Sequence, residues 1–273
     1  MHKTLPLLIA AALGALPAGT PYARDGVDVG QASSLRKLVP ADQLEKASTQ
    51  QYSQLKQQAA AQGALAPEGH PQLERLRAIA RRILPFAPRF NSRAERWQWE
   101  VNLIGSRELN AFCMPGGKIA FYTGLIDGLK LTDDEIAIVM GHEIAHALRE
   151  HARERVAKTQ LTNLGAAVLG EFLGGGKYGG LAQWGIQGGA SLLKLNFSRE
   201  DESEADLVGL DLSARAGYDP RAGISLWEKM GAANKAAPPQ WLSTHPAGSH
   251  RIKEIERHLP EVMPLYEAAK QRG

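Results

Sequence analysis

Gly141-His142-Glu143-Ile144-Ala145-His146 is the stretch on which the reading of this 273-residue chain turns. Just upstream, Thr132 and Glu135 fit a capping box, in which each side chain bonds the other's free backbone N–H. Ile136, Val139, Met140, Ile144 and Leu148 then recur at helical spacing, which predicts a helix running to about residue 160. On such a helix His142 and His146 are four apart and project from one face, so both imidazoles reach a single metal ion. Glu143 lies about 100° around the helix from His142. It sits beside the metal without binding it, where a base must be to take a proton from activated water. Gly141, Ile144 and Ala145 are small or apolar, so the polar groups among them are buried and need partners. Two solvent-facing histidines on a surface helix fit this pattern poorly.

Two histidines do not complete a catalytic zinc site, which usually has three protein ligands and an open position. Candidates lie in Ser198-Arg199-Glu200-Asp201-Glu202-Ser203-Glu204-Ala205-Asp206, where Ser198 caps a helix expected to stop near Gly217. Glu202, Ala205, Asp206 and Gly209 share one face of it. Small Ala205 and Gly209 let this helix lie close to the first, so that Glu202 reaches the metal. Asp206, one turn on, accepts a hydrogen bond from a ligand imidazole. The helix dipole accounts for Glu200 and Asp201 in the first turn. A His, His, Glu donor set favours zinc, one ion per chain.

The rest of the chain reads as mainly α with a small β-sheet, an α+β fold. Trp97, Trp99, Val101 and Leu103 alternate with polar residues at strand period. Residues 109–114 and 118–123 flank Pro115-Gly116-Gly117 as a hairpin. Helices are expected over 41–62, 72–84, 220–231, 248–258 and 260–271. The Gly-rich stretch 165–190 reads as a mobile segment or two short helices, with 172–190 a candidate lid over the cleft.

At the N-terminus, Lys3 precedes an apolar run over residues 5–18 that ends on Pro17 and Ala18 and is followed by Gly19 and Ala23. A run of about 14 residues is short for a bilayer, which needs roughly 20. This is the layout of a cleavable secretory signal over 1–23, with an uncleaved anchor as the alternative. Residues 24–68 follow as a polar helical extension with a loose lead-in over 24–40, and 69–273 as the metallopeptidase domain. The single cysteine, Cys113, excludes an internal disulfide and is too far from the signal for lipidation. A net charge of +3 with no dense basic stripe argues against nucleic acid as a partner.

Four segments occur in a telling order: Asn110-Ala111-Phe112 with Pro115-Gly116-Gly117, the His142 to His146 motif, Glu202 to Asp206, and Thr244-His245-Pro246 with Arg251-Ile252. With them the chain, over roughly 70–260, resembles the HtpX and CAAX-prenyl-protease family of zinc metallopeptidases. Within it the soluble or lipid-anchored periplasmic branch fits, without a helical-repeat domain. The resemblance implies a zincin-type domain with Glu202 as third ligand. It implies that His245, on a late loop, stabilises an oxyanion or binds the zinc and holds the enzyme off, and that Arg251 ties this loop to an acidic partner such as Asp206. It also implies an edge strand, around 117–122 with Gly117, Ile119 and Phe121, on which extended substrates lie. The activity so implied is endoproteolysis of extended or misfolded envelope polypeptides in the periplasm, with Glu143 as general base. Peripheral association with the membrane or with outer-membrane assembly machinery goes with it. A zinc-containing chaperone or assembly factor with suppressed proteolysis is the main rival, and a hydrolase of a non-peptide bond the second.

Overall fold

The helix carrying the two histidines is the axis of the structure, a computed structural model that describes residues 26–172, 192, 195–236, 240–245 and 249–272. This helix, α4 (Asp133–Leu148), is buried from Glu135 onward. It can be, because its polar side chains are concentrated at the capping box and the metal-facing positions. The box forms as expected: Thr132 Oγ1 accepts from the Glu135 N–H (3.3 Å) and Glu135 Oε2 from the Thr132 N–H (2.9 Å). The helix stops at Leu148 rather than near residue 160. Glu150 takes a left-handed conformation (φ 59°), and α5 (His151–Phe172) starts in a new direction. That conformation costs a non-glycine residue about 1 kcal/mol. Ion pairs from Glu150 to Arg36 (2.7 Å) and Arg153 (2.8 Å) offset it.

On one side α4 packs against a three-stranded sheet, and on the other against α6 (Arg199–Arg215), capped by Ser198. The α4–α6 crossing is close because Gly141 meets Gly209. A Cβ on Gly141 would lie 2.7 Å from the Gly209 carbonyl oxygen, and one on Gly209 2.7 Å from the His142 nitrogen. Ala205, fully buried, extends the small-residue contact.

The sheet comprises β1 (Glu100–Ile104), β2 (Ala111–Met114) and β3 (Lys118–Tyr122) in the order β1-β3-β2. The first pair is parallel and the second antiparallel. One face is covered by α1 (Ala41–Ala61), whose Tyr52 hydroxyl donates to the Ile119 carbonyl. The other face packs on α4 and on α2 (Pro71–Ile83). This order corrects the expected edge strand. Ile119 lies between Val101 and Cys113, and Phe121 between Leu103 and Ala111, so β3 is the central strand. Gly117 ends the hairpin turn (φ 80°) against the Trp99 ring, 2.7 Å from where a Cβ would sit. Alternation along a strand reports which face a residue occupies, not which strand is its neighbour. The outer side of β1 is met by residues 64–66, through Ala66 N–H to Leu103 O (3.0 Å) and Gly105 N–H to Ala64 O (2.6 Å). That leaves β2 as the border strand beside the histidines.

Three other expectations change. Trp97 and Trp99 precede β1 instead of belonging to it. Their indoles donate to Glu45 (3.0 Å) and to the Ala94 carbonyl (3.1 Å). The described part of the lead-in is tied down. The Val27 N–H donates to Asp211 (3.1 Å), and Arg149 donates to the carbonyls of Val29 (3.4 Å) and Gly30 (3.0 Å). At the C-terminal end, after α7 (Ala222–Ala236) and the short α8 (Gln240–Thr244), α9 (Ser249–Arg272) is one helix where two were expected. Pro260 and Pro264 each remove a hydrogen bond, but burial of Ile255, Val262 and Leu265 against the preceding helices carries the helix through. The signal segment 1–23 and, from residue 173, the candidate lid lie outside the described residues. Among the described residues no helix is long and apolar enough to cross a membrane.

Candidate metal centre and active site

Four buried donors converge where α4, α6 and the end of α8 meet: His142, His146, Glu202 and His245. The Nε2 atoms of His142 and His146 are 3.1 Å apart. Glu202 places one oxygen 3.5 Å from the first and the other 3.4 Å from the second. Donors bonded to one ion at about 2.0–2.1 Å in tetrahedral geometry are separated by about 3.3 Å, so the spacing fits zinc. Charge fits as well. Glu202 and Asp206 share the buried Arg251 guanidinium, and the Glu143 carboxyl is buried beside them, so buried carboxyl groups outnumber guanidinium groups around the donors, surroundings suited to a divalent cation. Burial alone would raise the Glu202 carboxyl, yet the imidazoles of His146 and His245 hold it far below the usual carboxylate range.

Asp206 was expected beside a ligand imidazole, and the resemblance implied that Arg251 ties to Asp206; the structure brings these side chains together. His142 Nδ1 lies 3.0 Å from Asp206 Oδ1. Arg251, only 1% exposed, donates to both Asp206 oxygens (2.6 and 2.5 Å) and to Glu202 Oε2 (2.7 Å). Burial would raise the Asp206 carboxyl, and Arg251 with His142 lowers it. The guanidinium also stacks over the Trp227 ring at 3.8 Å.

Glu143 points into the same space. Its Oε1 accepts a hydrogen bond from the Trp241 indole N–H (2.6 Å) and lies 3.6 Å from His245 Nε2. Trp241 on α8 and His245, the residue just past its end, are four apart and stack at 4.9 Å. The same short segment therefore touches both the base and the ligand cluster. His245 Nδ1 is 2.9 Å from Glu202 and 3.2 Å from His142 Nε2, which makes it a fourth donor. Burial disfavours its protonated form, but the facing Glu143 and Glu202 carboxylates raise its pKa. Glu143, His146, Phe197 and His245 form one wall of a cavity whose other wall is residues 110–115 of β2 and its flanks.

Sequence reasoning missed three residues here. Trp241 carried a signal in its i, i+4 spacing to His245. Phe197 stacks on His146 at 4.1 Å, and no local pattern points to it. His151 lies 2.8 Å from His146, Nδ1 to Nδ1. On an unbroken helix it would point about 140° away from His146; the turn at Glu150 brings it back.

The profile of peptidase family M48 matches residues 71–259. The chain belongs to peptidase family M48. M48 proteins are zinc metallopeptidases, and His142, His146, Glu202 and His245 form a buried group able to hold such an ion. The mitochondrial metalloendopeptidase OMA1 of Arabidopsis thaliana is 40% identical over 177 residues, covering 64% of this chain and 35% of that protein. OMA1 of Saccharomyces cerevisiae is 30% identical over 215 residues, 74% of this chain and 60% of that protein. The beta-barrel assembly-enhancing protease of Escherichia coli is 30% identical over 174 residues, 60% of this chain and 35% of that protein. The matches thus span between about a third and three fifths of these relatives. The expected zinc metallopeptidase membership holds at the level of M48, and the HtpX and CAAX-prenyl-protease framing is imprecise.

Proposed function

We propose that this M48 member is a zinc-dependent endopeptidase acting on extended or misfolded polypeptides. The observation that carries the reading is the convergence of the His142, His146 and Glu202 donors with Glu143 on a cavity bordered by β2. When bound, zinc supplies Lewis acidity that acidifies water and polarises a carbonyl. His142, His146 and Glu202 hold it, and Asp206 and Arg251 orient the ligands. Glu143 takes the proton from the attacking water and passes it to the leaving amine. His245, once displaced from the donor cluster, donates to the developing oxyanion. An extended substrate lies along β2, where main-chain hydrogen bonds tolerate many sequences. Residues 69–273 form the catalytic unit. Export by residues 1–23 to the periplasm and a role in envelope protein quality control complete the proposal, with unfolded polypeptides, not nucleic acid, as partners. Peripheral contact with the membrane or with outer-membrane assembly machinery is consistent with one relative's name. N-terminal sequencing of the mature protein separates cleavage from a retained anchor.

One observation favours a second reading, a zinc-containing assembly factor with suppressed proteolysis. His245 completes a closed four-donor set, and closed sets are typical of structural zinc sites, while Trp241 occupies Glu143. Casein cleavage by Glu143→Gln and His245→Ala variants, with zinc content measured alongside, tests both readings. The endopeptidase reading expects turnover reduced about 10²–10⁴-fold in Glu143→Gln with zinc retained. Wild-type turnover in that variant would reject the assigned base, and zinc without cleavage in every variant would favour the assembly factor.

A further inference from the structure

The side chain of His146 is backed by a run of polar groups that ends on the N-terminal segment. His146 Nδ1 lies 2.8 Å from His151 Nδ1, and His151 Nε2 lies 2.7 Å from Glu204 Oε2. The other Glu204 oxygen pairs with Arg149. Arg149 in turn donates to the carbonyls of Gly30 and Val29. His146 and His151 are both buried, and Phe197 flanks both rings, at 4.1 and 6.2 Å.

Two ring nitrogens at hydrogen-bond distance require one proton between them. If Nε2 of His146 offers its lone pair to the metal, its proton sits on Nδ1 and is donated to His151. His151 must then accept on Nδ1 and carry its own proton on Nε2, which it donates to the Glu204 carboxylate. Every group in the run has one consistent role. The reverse assignment puts a proton on the metal-facing nitrogen of His146.

We infer that His151 and Glu204 are positioning residues for the metal ligand His146: they set its tautomer and ring orientation through an imidazole relay that Arg149 fastens to residues 29 and 30. The inference rests on the reading of His146 as a zinc ligand. Removing such an outer partner typically weakens metal binding 10–100-fold.

The test is zinc affinity, measured by competition with a chromogenic chelator on the purified full chain, with the apo-protein melting temperature as a check on folding. His151→Phe keeps an aromatic ring beside Phe197 but leaves the His146 Nδ1–H without an acceptor. It should bind zinc about 10–100-fold more weakly. His151→Gln can accept with its carbonyl and donate with its amide, and should recover most of that loss. Glu204→Ala, at the rim of the site, should lose about 10-fold, the low end of the range for an outer partner, and it serves if His151→Phe does not fold. Wild-type affinity in a folded His151→Phe or in Glu204→Ala would overturn the relay. So would a His151→Gln variant as weak as His151→Phe. His146→Ala separates the two claims: zinc affinity unchanged there would remove the ligand reading itself, whereas affinity lost there but intact in the His151 and Glu204 variants would remove only the relay.

Discussion

The two metal-facing histidines are supported in different ways. His142 reaches a carboxylate directly, Asp206, and that carboxylate shares Arg251 with the third donor Glu202. His146 reaches its carboxylate, Glu204, through a second imidazole. Both carboxylates come from α6 and stand two residues apart, about 200° around the helix. One helix thus supplies the third donor and the outer support for both histidines. The arms differ in depth. Asp206 and Arg251 are buried, whereas the Glu204 side chain is 20% exposed. The buried arm couples metal binding to folding, because its charges have no water to fall back on. The rim arm affects the metal with little effect on the fold.

Gly209→Ala should have the largest effect, because it displaces both arms at once. The new methyl would meet backbone on α4, 2.7 Å from the His142 nitrogen and 3.0 Å from the Gly141 carbonyl carbon. Neither contact is a flexible side-chain end that can swing away. Overpacking of this kind costs about 3 kcal/mol, read as a lowered denaturation midpoint, and zinc affinity should fall with it. A midpoint within experimental error of wild type would mean that the crossing yields more easily than its geometry implies.

Arg251→Met comes next and breaks only the buried arm. It leaves Glu202 and Asp206 in the interior without their cation, a loss of about 3–5 kcal/mol in the apo protein. Zinc at saturating concentration should recover part of it, since the ion replaces some of the missing positive charge. If zinc returned nothing, the guanidinium would be acting through its packing on Trp227 alone.

The contrast between the arms also separates what could be read from the sequence from what could not. His142, Glu143, His146, Glu202 and Asp206 lie within two unbroken helices, where spacing alone places side chains on a common face. The capping box at Thr132 and the cap at Ser198 fixed the helix starts, and small Ala205 and Gly209 permitted the close crossing. His151 and the end of α4 were not legible, because the turn there uses Glu150, a residue with no preference for a left-handed conformation. An ion pair to Arg36, far away in sequence, and a local one to Arg153 hold it. The identity of the border strand was hidden for a related reason. β1 joins β3 in parallel, so the central strand is the last of the three in the chain, and no local pattern reports that. Trp241 lay between these extremes: its spacing to His245 was visible, but its bond to Glu143 depends on where α8 docks.

Asp206→Asn is a gentler probe of the buried arm. The amide oxygen can still accept from His142 while the charge facing Arg251 is lost. Zinc affinity should drop about 10-fold, with stability falling by more than in Glu204→Ala. Equal stability losses in the two variants would erase the proposed distinction between buried and rim arms.

The smallest effect calibrates the others, at a buried carboxylate near the start of α4, away from the donor cluster. Burial would raise the Glu135 carboxyl, but Lys229, the Thr132 N–H and the Ser225 hydroxyl bond it at 2.6, 2.9 and 2.7 Å and hold it below its usual value. A carboxyl lowered in the folded state contributes stability that is complete above its unfolded pKa of about 4.3 and is lost as pH falls through the folded value. Lys229 is a third exposed, so Lys229→Met should cost about 1 kcal/mol or less at neutral pH. That difference should shrink as pH falls from the unfolded value through the lowered folded value, below which Glu135 is neutral in both proteins. Urea titrations of the metal-free proteins in a series from pH 7 downward would measure it. A difference that stayed constant across this range would show that Lys229 contributes through its alkyl chain rather than its charge. The larger losses expected at Arg251 would then need the same scrutiny before being ascribed to the charges around the metal.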